Sequence, residues 1–236
     1  MRIWNRSGPK LRDGERALFK TNMSFQPSAI EAGLNHLRAV DPIMRELIDR
    51  VGPFTMRLKR NRFEALVRSI ISQQISGGAA RSIGLRLEQL LAPKKIAPET
   101  LAPLAPEHLR RAGLSPQKTR YILDLSQKVL SGELRLSGLA RLPDEHVIRQ
   151  LIQVKGIGVW TAQMFLMFSL GRMDVFPQDD LGIRAALRNL YHLDDLPDKP
   201  TSHRIAGPWR PFATVASWYC WRSLDLAKSA RKIALP

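Results

Sequence analysis

The sequence feature that most constrains this chain is a short turn, Lys155-Gly156-Ile157-Gly158, between two segments of helical character. Before the turn, acidic residues at the segment's start and an apolar stripe at helical spacing predict a helix from about residue 144 to 152. After it, apolar and aromatic residues at the same spacing predict a second helix, 159–170, stopped by Gly171. The sequence therefore predicts a pair of helices joined by a glycine-containing turn.

The composition of this turn suits a phosphate ligand. We expect both Gly156 and Gly158 to adopt left-handed backbone angles and Ile157 to insert between the helices, which exposes the amide groups of the second helix. Those amides, the helix dipole and the charge of Lys155 attract an anion without distinguishing bases, and Thr161 lies one turn further on. The pattern also fits an ordinary glycine turn in a helical protein, so it does not identify a ligand by itself.

The charge balance indicates a polyanionic partner. The 236 residues include 37 Lys and Arg against 21 Asp and Glu, for a formal net charge of +16 and a pI of about 10.9. Values this basic are typical of nucleic-acid-binding domains, although a basic protein without such a partner remains the alternative. The single cysteine, Cys220, excludes an internal disulfide, a cysteine-based zinc finger and a four-cysteine iron–sulfur cluster.

No apolar run approaches the length that spans a bilayer, and the basic N-terminus lacks the apolar stretch of a signal peptide. The sequence therefore predicts a cytoplasmic, DNA-associated protein. Residues 1–24 predict a basic arm, which either contacts DNA or is a solvated tail.

The rest of the chain predicts an all-α fold, because no stretch shows strand alternation of convincing length. Residues 92–106 predict a proline-rich connector with one helical turn, and residues 192–201 an Asp- and Pro-rich loop. Further helices are predicted at about 27–40, 43–51, 63–71, 79–91, 107–112, 116–130, 181–190 and 211–227.

A polar cluster interrupts the apolar pattern at residues 72–78. Gln73 and Gln74 lie there beside two glycines, just before a predicted helix. Their amides either form a polar helix terminus or insert into a DNA duplex.

Three strings in this order resemble the helix-hairpin-helix (HhH-GPD) DNA glycosylase superfamily, and most of all its 3-methyladenine DNA glycosylase II (AlkA-type) branch. They are SIISQQIS, VKGIGVWTAQMFLMFSLGRMDVFPQDDLGIR and GPWRPFATVASWYCWR, and the resemblance covers roughly residues 35–228. It implies two helical domains with a cleft between them that binds DNA and the base. One domain would combine residues 25–62 and 176–236, and the other would hold residues 63–175 with the hairpin at about 144–170.

The resemblance places the catalytic aspartate of the family on Asp180. The alternative is that Asp179 or Asp180 only caps the helix that begins near Leu181. We expect both roles, with Asp179 as the cap and Asp180 facing the cleft.

The resemblance also implies the other site residues. Trp160 and Trp218 match pocket aromatics, although both could be core tryptophans. The wedge position that fills the vacated base stack matches Gln74, shared with Gln73. A pocket tyrosine of the best-known relative is matched by Met164, and an arginine usual near the C-terminal string is replaced by Ala213, with Arg210 close by.

The implied activity is release of alkylated bases such as 3-methyladenine and 7-methylguanine, which are flipped from double-stranded DNA before the N-glycosidic bond is hydrolysed. Bifunctional members carry a lysine where this chain has Trp160, so the resemblance implies a monofunctional enzyme that leaves an intact abasic site. It implies a monomer without a required cofactor, and a structural Na⁺ or K⁺ at the hairpin, held by main-chain carbonyls of Ile152, Val154 and Ile157. The alternatives are a non-catalytic binder of distorted DNA and a glycosylase for oxidised, deaminated or mismatched bases.

Overall fold

In the computed structural model, residues 25–233 are described, so the predicted basic arm at 1–24 lies outside the described residues. Every regular element in the described range is helical, which confirms the all-α prediction. The α-helices are α1 (Pro27–Val40), α2 (Pro42–Val51), α3 (Arg62–Ser72), α4 (Gly77–Leu91), α5 (Pro98–Leu101), α6 (Pro106–Arg111), α7 (Pro116–Leu130), α8 (Asp144–Leu151), α9 (Val159–Phe165), α10 (Leu181–Leu190), α11 (Lys199–Ala206) and α12 (Ala213–Ile233).

Local signals explain why most helices begin close to their predicted positions. Asp41 caps α2 by accepting from the amides of Ile43 and Met44 at 3.0 and 3.1 Å. Ser115 caps α7 in the same way, and both helices carry a proline in the first turn, where its missing N–H has no intrahelical acceptor to lose.

The loop predicted at residues 192–201 is confirmed as far as Asp198 and wrong at its end, where α11 begins at Lys199. Asp198 accepts a hydrogen bond from the amide of Thr201 at 2.9 Å, and Pro200 lies in the first helical turn. Aspartate and proline are loop formers by composition, but at this spacing they are also an N-cap and a first-turn proline. The same residues therefore start a helix.

The helix predicted at 159–170 changes its winding halfway. It is α-helical through Phe165 and continues as a π-helical turn over Leu166–Leu170, ending at Gly171 with φ +70°. The backbone N–H of Lys59 donates to the Phe168 carbonyl at 2.7 Å within this wider turn. Such π turns are rare and frequent at functional sites.

Helix packing concentrates in two groups. The first comprises α1, α2, α10 and α12, with the short 3₁₀ turn Gly207–Trp209 against α1 and α11. The second comprises α3 to α9, in which α3 packs on α4, α7 and α9. The predicted division at residues 62 and 175 stays a prediction. No helix in the described part of the chain is long and apolar enough to cross a membrane.

A buried carboxylate ties the N-terminal and C-terminal segments of the first group together. Asp41 is 8% exposed, and its Oδ2 accepts from the Trp209 indole at 2.8 Å and from the Tyr191 hydroxyl. Burial, followed by the hydrogen bond to Asp41, raises the pKa of Tyr191 far above its usual value. The hydroxyl therefore remains a donor, which is the form the buried carboxylate requires.

Candidate active site and DNA-binding surface

The hairpin turn joins α8 to α9 over residues 152–158, and Ile157 is buried there as expected. Gly156 has φ +80°, in the left-handed region. Gly158 has φ −94° and ψ 178°, extended backbone that any residue adopts. The prediction of left-handed angles at both glycines is therefore wrong for Gly158, and only Gly156 is required by the backbone conformation.

Gly156 is also required by a close contact with α7. A Cβ atom at this position would lie 2.0 Å from Cδ2 of Tyr121, well inside van der Waals contact. On the same side, the backbone N–H of Lys155 donates to Asp124 Oδ2 at 2.9 Å. The turn is thus seated on α7 by one aromatic ring and one carboxylate.

Gly158 leaves the N-terminus of α9 open. It is the N-cap of this helix and has no side chain to offer, and nothing lies within 4 Å of where its Cβ would be. The unpaired first-turn amides of a helix attract anions. Lys155 and Gly158 are exposed, whereas the Thr161 side chain is buried, so Thr161 can offer DNA its amide more readily than its hydroxyl.

The two glutamines of the polar cluster have different surroundings. Gln73 is partly buried, and its Nε2 donates to the Gly156 carbonyl at 2.8 Å. Gln74 is exposed, with φ +56°, a strained backbone angle for a residue with a side chain. Gln73 therefore connects the polar cluster to the hairpin through a hydrogen bond, and the exposed Gln74 is available for contact with a ligand.

Lys118 supports the polar cluster through two hydrogen bonds, a role that the sequence did not indicate. Its Nζ donates to the carbonyls of Ile71 and Gln73 at 2.8 and 2.7 Å, the open carbonyl end of α3. Partial burial lowers the pKa of Lys118. No local sequence signal indicates this role, because the partners of Lys118 lie about 45 residues away in the chain.

Asp180 is the most heavily engaged acid of the site. As the N-cap of α10, its Oδ1 accepts from the Ile183 amide at 2.8 Å and from the Trp221 indole at 3.0 Å. Its Oδ2 accepts from the Trp160 indole at 2.8 Å. Three donors at the N-terminus of α10 therefore fix the orientation of this carboxylate.

The expectation that Asp179 caps α10 is wrong. Asp179 does not cap α10; it is about half exposed and forms an ion pair with Lys199 at 3.0 Å. Asp180 itself combines the cap with the indole contacts, because the extended backbone at Asp180 aims its carboxylate at both the helix terminus and the tryptophans.

Trp218 does not contribute to this cluster, which corrects its expected place in the base pocket. It is 7% exposed and packs on Phe54 and Tyr219, with ring centroids 4.8 and 4.9 Å away. Trp221, one helical turn later on α12, bonds Asp180 instead and stacks on Phe168 at 5.8 Å. Both tryptophans belong to the same string, and the three-residue offset decides which faces the core.

A cavity of about 350 Å³ opens beside Trp160, large enough for a purine-sized ligand. Met164 lies in the wall of this cavity. The lining residues are Lys59, Arg68, Ser69, Ile71, Ser72, Ala80, Arg81, Gly84, Trp160, Met164 and Phe168. A second groove of about 480 Å³ runs past Gln73, Gln74, Gly156 and Gly158 and shares Ser72 and Trp160 with the cavity. Trp160 therefore stands where the groove meets the cavity.

Two remaining positions are accounted for by the fold. Ala213, which replaces an expected arginine, is 2% exposed at the start of α12. Arg210 is exposed and bonds the Asp174 carboxylate at 2.9 Å.

Of the three carbonyls expected to hold a cation, that of Val154 accepts the Ile157 amide at 3.0 Å, which leaves one of its lone pairs for a further ligand.

Comparisons with known proteins identify the family of this chain. A family model described as "HhH-GPD superfamily base excision DNA repair protein" matches residues 67–211. DNA-3-methyladenine glycosylase 1 of Schizosaccharomyces pombe is 34% identical over 203 residues, covering 84% of this chain and 89% of that protein. The Bacillus subtilis protein YfjP is 34% identical over 169 residues, or 69% of this chain, and the match spans 59% of that protein's length. A solved S. pombe 3-methyladenine DNA glycosylase in complex with abasic DNA has a TM-score of 0.74 at 33% identity, covering 83% of this chain and 98% of that one.

Proposed function

We propose that this chain, which belongs to the HhH-GPD superfamily of base excision DNA repair proteins, is a monofunctional DNA glycosylase that removes alkylated purines and leaves an abasic site. Its substrates would be 3-methyladenine, 7-methylguanine and related adducts in double-stranded DNA. The observation that carries the proposal is the Asp180 carboxylate, held by two indoles next to a purine-sized cavity.

Asp180 would stabilise the sugar as the glycosidic bond breaks. Cleavage develops positive charge on the sugar, and a fixed carboxylate stabilises that charge without reorganising. Water then adds to the sugar carbon and gives its proton to solvent or to Asp180. An alkylated purine cation leaves as a neutral base, so it requires little acid catalysis.

The cavity would receive the base after it leaves the DNA stack. Flipping costs a few kcal/mol, and less for a damaged pair. Trp160, 39% exposed at the cavity entrance, offers an aromatic face to a cationic base, worth about 0.5 to 2 kcal/mol. No lysine stands at its position, which supports hydrolysis without a Schiff base.

The hairpin and the polar cluster would position the DNA. The open N-terminus of α9, with Lys155 and Gly158 exposed, suits a backbone phosphate that carries no base information. Gln74 projects from the same groove and would fill the vacated stack, while Gln73 holds the cluster against Gly156. The chain would act as a monomer on the cell's DNA.

No cofactor is required by this chemistry, and a monovalent cation at the hairpin is part of the proposal. The main-chain carbonyls of Ile152, Val154 and Ile157 belong to the turn, and main-chain oxygens are suitable ligands for hard cations. A Na⁺ or K⁺ held there would add positive charge beside the bound phosphate.

The proposal is tested by incubating the purified protein, without added metal, with methylated duplex DNA and resolving the released bases by chromatography. We expect 3-methyladenine and 7-methylguanine, with strand breaks only after alkali or heat. A spontaneous nick with a borohydride-trapped adduct would contradict the monofunctional assignment. Binding without any base release would favour a non-catalytic binder of distorted DNA.

A further inference from the structure

Lys59 has no role in the site described above, although it lines the same cavity. It lies in the segment between α2 and α3, and its backbone N–H is anchored to the Phe168 carbonyl at 2.7 Å. Its ammonium nitrogen is 5.9 Å from the centroid of the Phe168 ring. Trp160 and Met164 line the cavity together with it.

The charge of Lys59 is not neutralised by the acids of this region. Glu64 on α3 and Glu88 on α4 both form ion pairs with Arg68, and the distance from Arg68 Nε to Glu64 Oε1 is 2.7 Å. The other cationic residues lining the cavity are Arg68 and Arg81. Burial lowers the pKa of Lys59, and the charge of Arg68 lowers it further, while Glu64 opposes both effects. The Lys59 side chain is exposed on its solvent side, and its ammonium lies beside an aromatic ring at the cavity wall, close enough to interact with charge changes in the cavity.

Lys59 and Asp180 are connected through two aromatic rings. Phe168 stacks on Trp221 at an interplanar angle of 26°, and the Trp221 indole bonds Asp180. Trp160 links the cavity to the same carboxylate. A base in the cavity would therefore have Lys59 and Trp160 in its surrounding wall, and Trp160 bonds the Asp180 carboxylate.

We propose that Lys59 provides the positive charge that helps a neutral purine such as hypoxanthine to leave. This inference rests on the proposed glycosylase function. It names a specificity-determining residue for that reaction.

The chemistry distinguishes the two substrate classes. When the bond between C1′ and N9 breaks, both bonding electrons move to the base. A cationic base becomes neutral, whereas a neutral base becomes an anion until it gains a proton. Water adds to C1′ and loses one proton, and one proton is taken up at a base nitrogen, so the sum is the free base and the hydroxylated sugar. An ammonium beside the base stabilises the anion as it forms, directly or by donating a hydrogen bond.

For a base that is already cationic, the same ammonium is repulsive before cleavage and this repulsion decreases during it. Its removal should therefore tighten binding of the cationic substrate and slow cleavage of the bound complex, and these two effects offset each other when the enzyme is subsaturating. The two substrates should respond differently to one substitution.

The test is Lys59→Met, compared with the original chain on duplexes that carry one hypoxanthine or one 7-methylguanine in the same sequence context. In single-turnover reactions at subsaturating enzyme, where the rate reflects binding and cleavage together, we expect hypoxanthine release to slow by about 100-fold and 7-methylguanine release by less than about threefold. Lys59→Arg should retain hypoxanthine release within about tenfold, because it keeps the charge. Lys128→Met, on α7 and paired with Glu133, controls for the loss of one positive charge elsewhere.

An equal slowing on both substrates, or an unchanged hypoxanthine rate in Lys59→Met, would overturn the inference. Release of 7-methylguanine but not hypoxanthine by the original chain would also overturn it while leaving the glycosylase function intact. Release of neither base by the original chain would reject both. Thermal denaturation of each variant identifies any loss of base release that is caused by unfolding.

Discussion

At the scale of single residues, Asp180 joins a structural task to a chemical one. The oxygen that caps α10 also receives the Trp221 indole, and the other oxygen receives the Trp160 indole. A Cβ at Gly182 would come 3.0 Å from Asp180 Oδ1, so a side chain there would press on the carboxylate. The residues around Asp180 thus determine its orientation closely.

Asp180→Asn should reduce the single-turnover rate on 7-methylguanine by at least about 100-fold, because the charge that stabilises the sugar is lost. An asparagine can still cap α10, but its NH₂ group would face an indole donor, so we also expect a change in tryptophan fluorescence. Affinity for an abasic duplex should be kept or increased, since a negative charge near the DNA has been removed.

Asp179→Asn is the matched control for this substitution. It breaks only the exposed ion pair with Lys199, a contact worth about 0 to 1 kcal/mol. Activity and stability should therefore stay close to those of the original chain. A dead Asp179→Asn beside an active Asp180→Asn would reverse the assignment within the pair.

At the scale of elements, the hairpin and the polar cluster behave as one unit. Gln73 bonds Gly156, and Lys118 holds the carbonyls of Ile71 and Gln73. A shift of α7 would therefore displace the projecting Gln74 and the hairpin turn together.

Alanine substitutions at the two glycines should separate folding from DNA binding. Gly156→Ala should lower the melting temperature, because the Cβ would collide with Tyr121 and the left-handed angle costs about 1–2 kcal/mol. Gly158→Ala should leave the melting temperature unchanged, since its backbone is extended and its surroundings are open.

For DNA binding the expected result is different. Gly158→Ala should weaken binding to damaged and undamaged duplexes equally, by about tenfold if one charge-assisted hydrogen bond to phosphate is lost. The measurement is fluorescence anisotropy on both duplexes, with thermal denaturation in parallel. A change for the damaged duplex alone would contradict a phosphate contact at α9.

At the scale of the whole molecule, the two ends of the described chain meet in one packing group. Asp41 connects α2 to Tyr191 and to Trp209, about 150 and 168 residues further along. The formal charge of +16 acts at the same scale, since it favours association with DNA and should make binding decrease steeply with salt.

Asp41→Ala should lower the free energy of unfolding by about 3 kcal/mol. It removes a helix cap and leaves the Trp209 indole without its buried acceptor. Asp49→Ala removes the exposed pair with Arg38 and should cost less than about 1 kcal/mol. Urea denaturation measures the free energy of unfolding of both variants. An equal decrease in the two variants would show that the Asp41 hydrogen bonds do not stabilise the contact between the segments.

The sequence alone determined most helix positions, the hairpin and the burial of Ile157. These follow from signals that act over a few residues, such as caps, prolines, glycine stops and apolar spacing. The aspartate pair and the glutamine cluster were also identified as candidates, because their residue types suit the chemistry that the resemblance implied.

Only the tertiary structure decided which of these residues act together. Trp221 rather than Trp218 meets Asp180, Lys59 borders the cavity, and Lys118 supports the polar cluster. Each contact joins segments at least 40 residues apart, so it depends on how the helices pack and not on local propensity. The same packing leaves space beside Gly158 and none beside Gly156, although the two glycines have the same local sequence signal.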